Sequence, residues 1–130
     1  MVDTSALLAL AIKGDRHHPR AVEFLKKQRA DSFITSTFIL GETATRLRAL
    51  ASARTAVDFV RAVLHSQRYT VVEVDSAILE QSLDRMVQWE DRRLSLTDCS
   101  SFVVMDRLGV RNAFTFDSDF LRCGYQIYPS

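Results

Sequence analysis

Two hydrophobic patterns alternate along this chain: apolar residues spaced by three and four, and short near-continuous apolar runs. "DTSALLALAIK" opens with Asp3, Thr4 and Ser5, residue types that cap helices, and a helix to about Lys13 is predicted. "GDRHHPRAVEFLKKQ" restarts a helix near Pro19, which suits the first helical position, with Ala21, Phe24 and Leu25 as its apolar face. "SFITS" has the β preference of Phe33, Ile34 and Thr35, and Ser36 or Thr37 then caps the helix "FILGETATRLRAL". In "SARTAVDFVRAVLHSQ" the helical spacing falls on Val57, Val60 and Leu64. "YTVVEVD" is a strand, after which Asp75 or Ser76 caps "AILEQSLDRMVQW", with Leu79, Leu83 and Met86 as its stripe. "DRRLSL" reads as a loop, Thr97 caps "DCSSFVVMDRLG", and Gly109 ends that helix. "RNAFTF" and a short "YQIY" are the last strands.

With Met1 and Val2 as the remnant of a first strand, the order is β-α-α-β-α-α-β-α-α-β-β. Strands that alternate with helices predict an α/β fold with a parallel sheet covered on both faces. Ligands of such sheets bind outside the carboxyl ends of the strands. Acids gather at those places. Asp3 follows the first strand, Asp117 follows "AFTF", Asp119 opens the next turn, and Asp98 lies in the first turn of the preceding helix. Glu42 lies about one and a half turns into the helix after the second strand.

Asp3, Asp98 and Asp119 each have a plain explanation as helix-start acids, worth roughly 0.3–1 kcal/mol against the helix dipole. Capping cannot explain Glu42, which sits among Phe38, Ile39, Leu40 and Ala44. Asp117, after Phe114 and Phe116, is too close to core to be surface decoration. Carboxylates within about 6 Å of one another repel and must be neutralised. An all-carboxylate set suits a hard divalent cation, Mg²⁺ or Mn²⁺, and disfavours zinc. Such ions support attack of water on phosphorus, the chemistry of metal-dependent nucleases.

The 130 residues fit one domain, residues 1–130, with 47% hydrophobic and 25% charged residues. The net charge of +1 points to neither a nucleic-acid nor a membrane partner, so a nucleic-acid interface must rest on local patches. Cys99 and Cys123 form no disulfide framework and read as reduced thiols, Cys99 packed. No run reaches about 18 apolar residues and no basic region precedes the first apolar run, so a cytoplasmic protein without a membrane span or signal peptide is expected.

"VDTSALLALA", "TSTFILGET", "LSLTDCSSFVVMDRLG" and "AFTFDSDF", with "GYQIYP" after them, resemble the PIN domain. More narrowly they resemble the VapC-like ribonucleases of bacterial and archaeal toxin–antitoxin pairs, over essentially the whole chain. The resemblance implies a three-layer α/β/α domain with a central, mainly parallel sheet of four to five short strands. It implies Mg²⁺- or Mn²⁺-dependent cleavage of RNA, with Asp3, Glu42, Asp98 and Asp117 at the family's acidic positions. Asp119 matches a common additional acid that reaches the metal through water, and Ser5 and Thr115 match small polar positions that line the site. A homodimer and a cognate antitoxin that covers the pocket are also implied. The family has several apolar residues before its first Asp where this chain has only Met1 and Val2, so that strand is very short or the chain as given omits residues. Cys99 stands where the family often has Ala.

On this reading Asp3, Asp98 and Asp117 hold the metal, and Glu42 orients or deprotonates the attacking water, leaving a 5′-phosphate. Arg92 and Arg93, just ahead of Asp98, are the expected RNA contacts. Arg16, Arg20, Lys26, Lys27 and Arg29, with Arg46, Arg48, Arg54 and Arg61, are further basic positions. His17, His18 and His65 read as surface residues and Trp89 as helix packing. Two alternatives stay open, a non-catalytic PIN-fold module that binds RNA or protein, and a free-standing RNA-processing nuclease. A phospho-acceptor signalling domain would need a Lys at a late strand end, and "FLRCGYQIYPS" has none.

Overall fold

Helices begin in this protein where a side-chain oxygen takes up free backbone N–H groups. The computed structural model describes residues 1–28 and 32–130, so Arg29 lies outside the described residues. Ser36 Oγ accepts from the Ile39 N–H, Ser52 Oγ from Thr55, Asp75 Oδ1 from Ile78 and Ser95 Oγ from Asp98, at 2.9–3.2 Å. Each such cap is worth about 1 kcal/mol. They open α3 (Thr37–Leu50), α4 (Ala53–His65), α5 (Ser76–Gln88) and α6 (Leu96–Leu108). Two helices precede these, α1 (Thr4–Ala11) and α2 (His18–Lys27). Gly109 ends α6 in the left-handed region at φ 67°, where an L side chain would be strained.

The strands are short: β1 (Phe33–Ser36), β2 (Tyr69–Val72), β3 (Asn112–Phe114) and β4 (Gln126–Tyr128). β1 pairs parallel with β2, and β3 parallel with β4. Residues 1–3 join the two pairs. The Val2 N–H donates to the Ile34 carbonyl at 2.7 Å, the Phe114 N–H to Met1 at 2.7 Å, and the Asp3 N–H to Phe114 at 3.0 Å. The resulting order is β2-β1-(1–3)-β3-β4, all parallel, with the first strand reduced to one bridge at Val2. Successive strands are added on one side of residues 1–3 up to β2 and on the other side from β3, so right-handed crossovers put α1 to α4 on one face and α5 to α7 (Asp119–Arg122) on the other. This is the three-layer α/β/α architecture.

Several details depart from the pattern-based expectations. Ser95, not Thr97, caps α6, because Ser95 and Asp98 form a reciprocal capping box. "DRRLSL" contains a 3-10 turn over Glu90–Arg92, and α7 is an extra turn of helix that lets β4 return parallel. The buried positions of α5 are Ile78 and Ser82, while Leu83 and Met86 are exposed. On α4 the inner positions are Ala56 and Val63, while Val57 and Leu64 face out.

The core joins both faces of the sheet. Phe24 of α2 lies 4.7 Å from Phe114, between ring centroids, on one side. Phe102 of α6 stacks on Tyr125 at 5.0 Å and meets Phe120 at 4.9 Å on the other. Val2, at the centre of the sheet, is fully buried, which ties the residue before Asp3 into the core.

Candidate active site

Asp3, Asp117 and Asp119 lie at or just beyond the carboxyl ends of the central strands, and two helices bring Asp98 and Glu42 towards them. Asp98 is the third residue of α6, and its Oδ2 accepts the Ser95 N–H at 3.1 Å. The cap therefore orients this acid, and the plain capping role and the cluster role coexist in one side chain. Asp117 is held by its own turn: its Oδ1 accepts from the Asp119 N–H at 2.9 Å. Asp98, Asp117 and Asp119 each offer one oxygen, and these three oxygens lie within 4.8 Å of one another. Each is half-buried, and the set is all carboxylate, with no nitrogen or sulfur donor. That donor chemistry fits Mg²⁺ or Mn²⁺.

Asp3 lies beneath this trio and is 4% exposed. Its Oδ2 accepts from Thr115 Oγ1 at 3.0 Å and from Ser5 Oγ at 3.3 Å. The same two hydroxyls hold the strand end, because Ser5 Oγ accepts the Phe116 N–H at 2.9 Å and Thr115 Oγ1 accepts the Asp117 N–H at 3.0 Å. Burial pushes the Asp3 carboxyl up to about 6, with the charges of Asp98 and Asp117 adding to the rise. Burial also raises Asp98, and the neighbouring Asp117 and Glu42 raise it further. Asp117 is raised by burial and held back by Arg122. Glu42 is half-buried on α3, close enough to Asp98 for its charge to be felt there. Asp3 and Glu42 are not members of the 4.8 Å trio.

Arg92 and Arg93 are exposed on the loop before α6 and line a cavity that also touches Asp119 and Arg122. Thr115, by contrast, is buried, and its hydroxyl is engaged by Asp3 and Asp117. Three features escaped the one-dimensional pattern. Arg122 forms an ion pair with Asp119, legible only as an i,i+3 acid–base pair on a turn not foreseen as helical. Ser95 fixes Asp98 through the S-x-x-D capping pattern. His17 is no plain surface residue, since its ring stacks on Phe116 with centroids 4.3 Å apart. His18 likewise packs inward, its Nδ1 2.7 Å from the Ala9 carbonyl oxygen, while His65 is exposed. Trp89 packs on Phe102 as expected.

Residues 1–124 match the family described as PIN domain. The chain belongs to the PIN domain family. Among curated proteins it is similar to the 23S rRNA-specific endonuclease VapC20 of Mycobacterium tuberculosis, 36% identical over 124 residues, covering 95% of this chain and 93% of that protein. It is also similar to Ribonuclease VapC26 of Mycobacterium tuberculosis, 28% identical over 120 residues, covering 90% of this chain and 85% of that protein. The crystal structure of Mycobacterium tuberculosis VapC20, described as a sarcin-ricin loop cleaving toxin, superposes with a TM-score of 0.88. It shares 35% identity and covers 95% of this chain and 94% of that one. Among the described residues, no helix of this PIN domain is long and apolar enough to cross a membrane.

Proposed function

We propose that this PIN domain, acting as one unit over residues 1–130, is a metal-dependent endoribonuclease and the toxin of a toxin–antitoxin pair. The observation that carries the reading is the convergence of Asp98, Asp117 and Asp119 within 4.8 Å above the buried Asp3, in a fold that superposes on a named RNA-cleaving toxin. Asp98, Asp117 and Asp119, with Asp3 below, would hold Mg²⁺ or Mn²⁺. When bound, the ion supplies Lewis acidity towards the phosphodiester and lowers the pKa of water.

The chain's own groups do the rest. Glu42, beside Asp98 and outside the trio, is assigned to accept the proton of the attacking water. Cleavage at the 3′-oxygen then leaves a 5′-phosphate. Ser5 and Thr115 position Asp3 and the Asp117 turn, while Arg92 and Arg93 hold RNA phosphates. An antitoxin covering the acidic pocket belongs to this reading. So does a homodimer, for which the exposed Leu83, Met86 and Val87 on α5 supply an apolar surface.

The test is incubation of purified ribosomal RNA with the protein in Mn²⁺, in Mg²⁺ and in EDTA, beside Asp98→Asn. Metal-dependent cleavage lost in the variant is expected. Equal cleavage by Asp98→Asn would overturn the assignment of that residue. No cleavage of ribosomal RNA or of a mixed RNA pool by the wild type would favour a non-catalytic binding module.

A further inference from the structure

Next to the carboxylates lies a cavity of about 630 Å³, lined by Arg92, Arg93, Leu94, Asp119, Arg122 and Cys123 among others. Its size falls within the range of small-ligand sites, about 300–1,000 Å³. Asp119 belongs both to this cavity and to the carboxylate trio, so the two spaces share a wall. The trio is anionic, whereas the cavity gathers three guanidinium groups against two carboxylates, Asp91 and Asp119.

Each arginine is held in its own way. The Arg92 guanidinium lies 4.4 Å from the Trp89 ring centroid, and its Nη1 donates to Cys123 Sγ at 3.5 Å. Arg122 pairs with Asp119 at the boundary between the two spaces. Arg93 carries the third observation. It is the one non-glycine residue with positive φ among the described residues, at 53° in the left-handed region. A side chain there costs roughly 1–2 kcal/mol, a cost that glycine would avoid. The turn alone gives no reason for arginine at this position, whereas a ligand in the cavity does.

We propose that this cavity is a phosphate subsite for the nucleotide next to the scissile bond, with Arg92, Arg93 and Arg122 as its phosphate contacts and Arg92 the most firmly fixed of the three. The inference rests on the ribonuclease reading. A single RNA strand fits the charge pattern: one phosphate lies at the carboxylate-held cation and the next lies among the arginines. Guanidinium suits the role because its planar donors can grip two phosphate oxygens at once.

The test uses binding without cleavage. A 5′-fluorescein 12-nucleotide single-stranded oligouridine is titrated with the full chain in EDTA by fluorescence anisotropy, over a series of KCl concentrations. The proteins are wild type, Arg93→Gly and Arg122→Ala. Arg93→Gly removes the side chain while relieving the left-handed backbone, so it tests binding without threatening the fold. Each substitution is expected to weaken binding about tenfold and to flatten the plot of log K against log salt by about 0.7, the contribution of one phosphate contact on a single strand. Slopes and affinities within twofold of wild type for both variants would overturn the subsite, as would a wild type that binds no RNA. Cleavage in Mn²⁺, measured on the same preparations, separates the two readings. A wild type that cleaves while the slopes stay unchanged refutes only the subsite. A wild type that never cleaves refutes the ribonuclease reading on which the subsite depends.

Discussion

Replacing Asp3 with asparagine removes a charge and almost no volume from the one fully buried carboxylate among the described residues. Burial, with Asp98 and Asp117 adding to it, raises this carboxyl from 3.8 to about 6. A rise of that size corresponds to about 3 kcal/mol of unfavourable free energy once the group is ionised in the folded state. The folded state binds the proton more tightly than the unfolded chain, so stability is lost as pH rises. Below about 4 both states are protonated and Asp3 costs nothing. Between about 4 and 6 the unfolded chain ionises first and stability falls. Above about 6 the full cost is present. Asparagine removes it, although its NH₂ group disturbs the hydroxyls of Ser5 and Thr115, at a cost of about 1 kcal/mol. In EDTA at pH 7.5, Asp3→Asn is therefore expected to be more stable by about 2 kcal/mol, or about 8 °C in Tm for a domain of this size. At pH 4 the advantage vanishes or reverses. Thermal melts followed by circular dichroism across this pH range check the prediction. A variant that melts below wild type by the same margin at both pH values would refute the reasoning, because Asp3 would then carry no charge-burial cost to remove.

Divalent metal should reverse this balance. Mn²⁺ at 100 times its Kd is expected to stabilise the wild type by about 2.7 kcal/mol, and Asp117→Asn to lose most of that shift in a melting titration. Ser95→Ala removes the Oγ cap of α6 but keeps the Ser95 backbone N–H that Asp98 Oδ2 accepts, so a stability loss of about 1 kcal/mol by urea denaturation should accompany a smaller loss of single-turnover cleavage than Asp98→Asn shows. Phe102 is fully buried between Trp89, Phe120 and Tyr125, and Phe102→Ala should cost about 3–5 kcal/mol in the same urea assay.

Much of the fold is local and therefore legible along the chain. Ser36 and Asp75 cap helices because a short oxygen-bearing side chain can reach an N–H three residues ahead, whatever surrounds it. Gly109 ends α6 for an equally local reason. The alternation of strands and helices dictates parallel pairing, and parallel pairing puts Asp3 and Asp117 side by side at strand ends. The acids themselves were thus visible as candidates before any contact between them was known.

Decisions between equivalent local patterns needed the tertiary structure. On α5, Ile78 with Ser82 and Leu79 with Leu83 satisfy the same helical spacing. Which pair turns inward depends on the surface that α6 presents, and Ser82 is tolerated there because its hydroxyl donates to the Ile78 carbonyl at 2.7 Å. A pKa near 6 for Asp3 is likewise no property of its neighbours in sequence, since it comes from burial and from charges 95 and 114 positions away. The same is true of the cavity that joins Arg93 to Arg122. Sequence by itself determined most helix starts, the alternation of strands and helices and the list of acids, because hydrogen bonds and periodicity act over a few residues. Only the tertiary structure decided which faces are buried, which carboxylates share one space and which arginines stand beside them, because desolvation and Coulomb energies depend on distance in space.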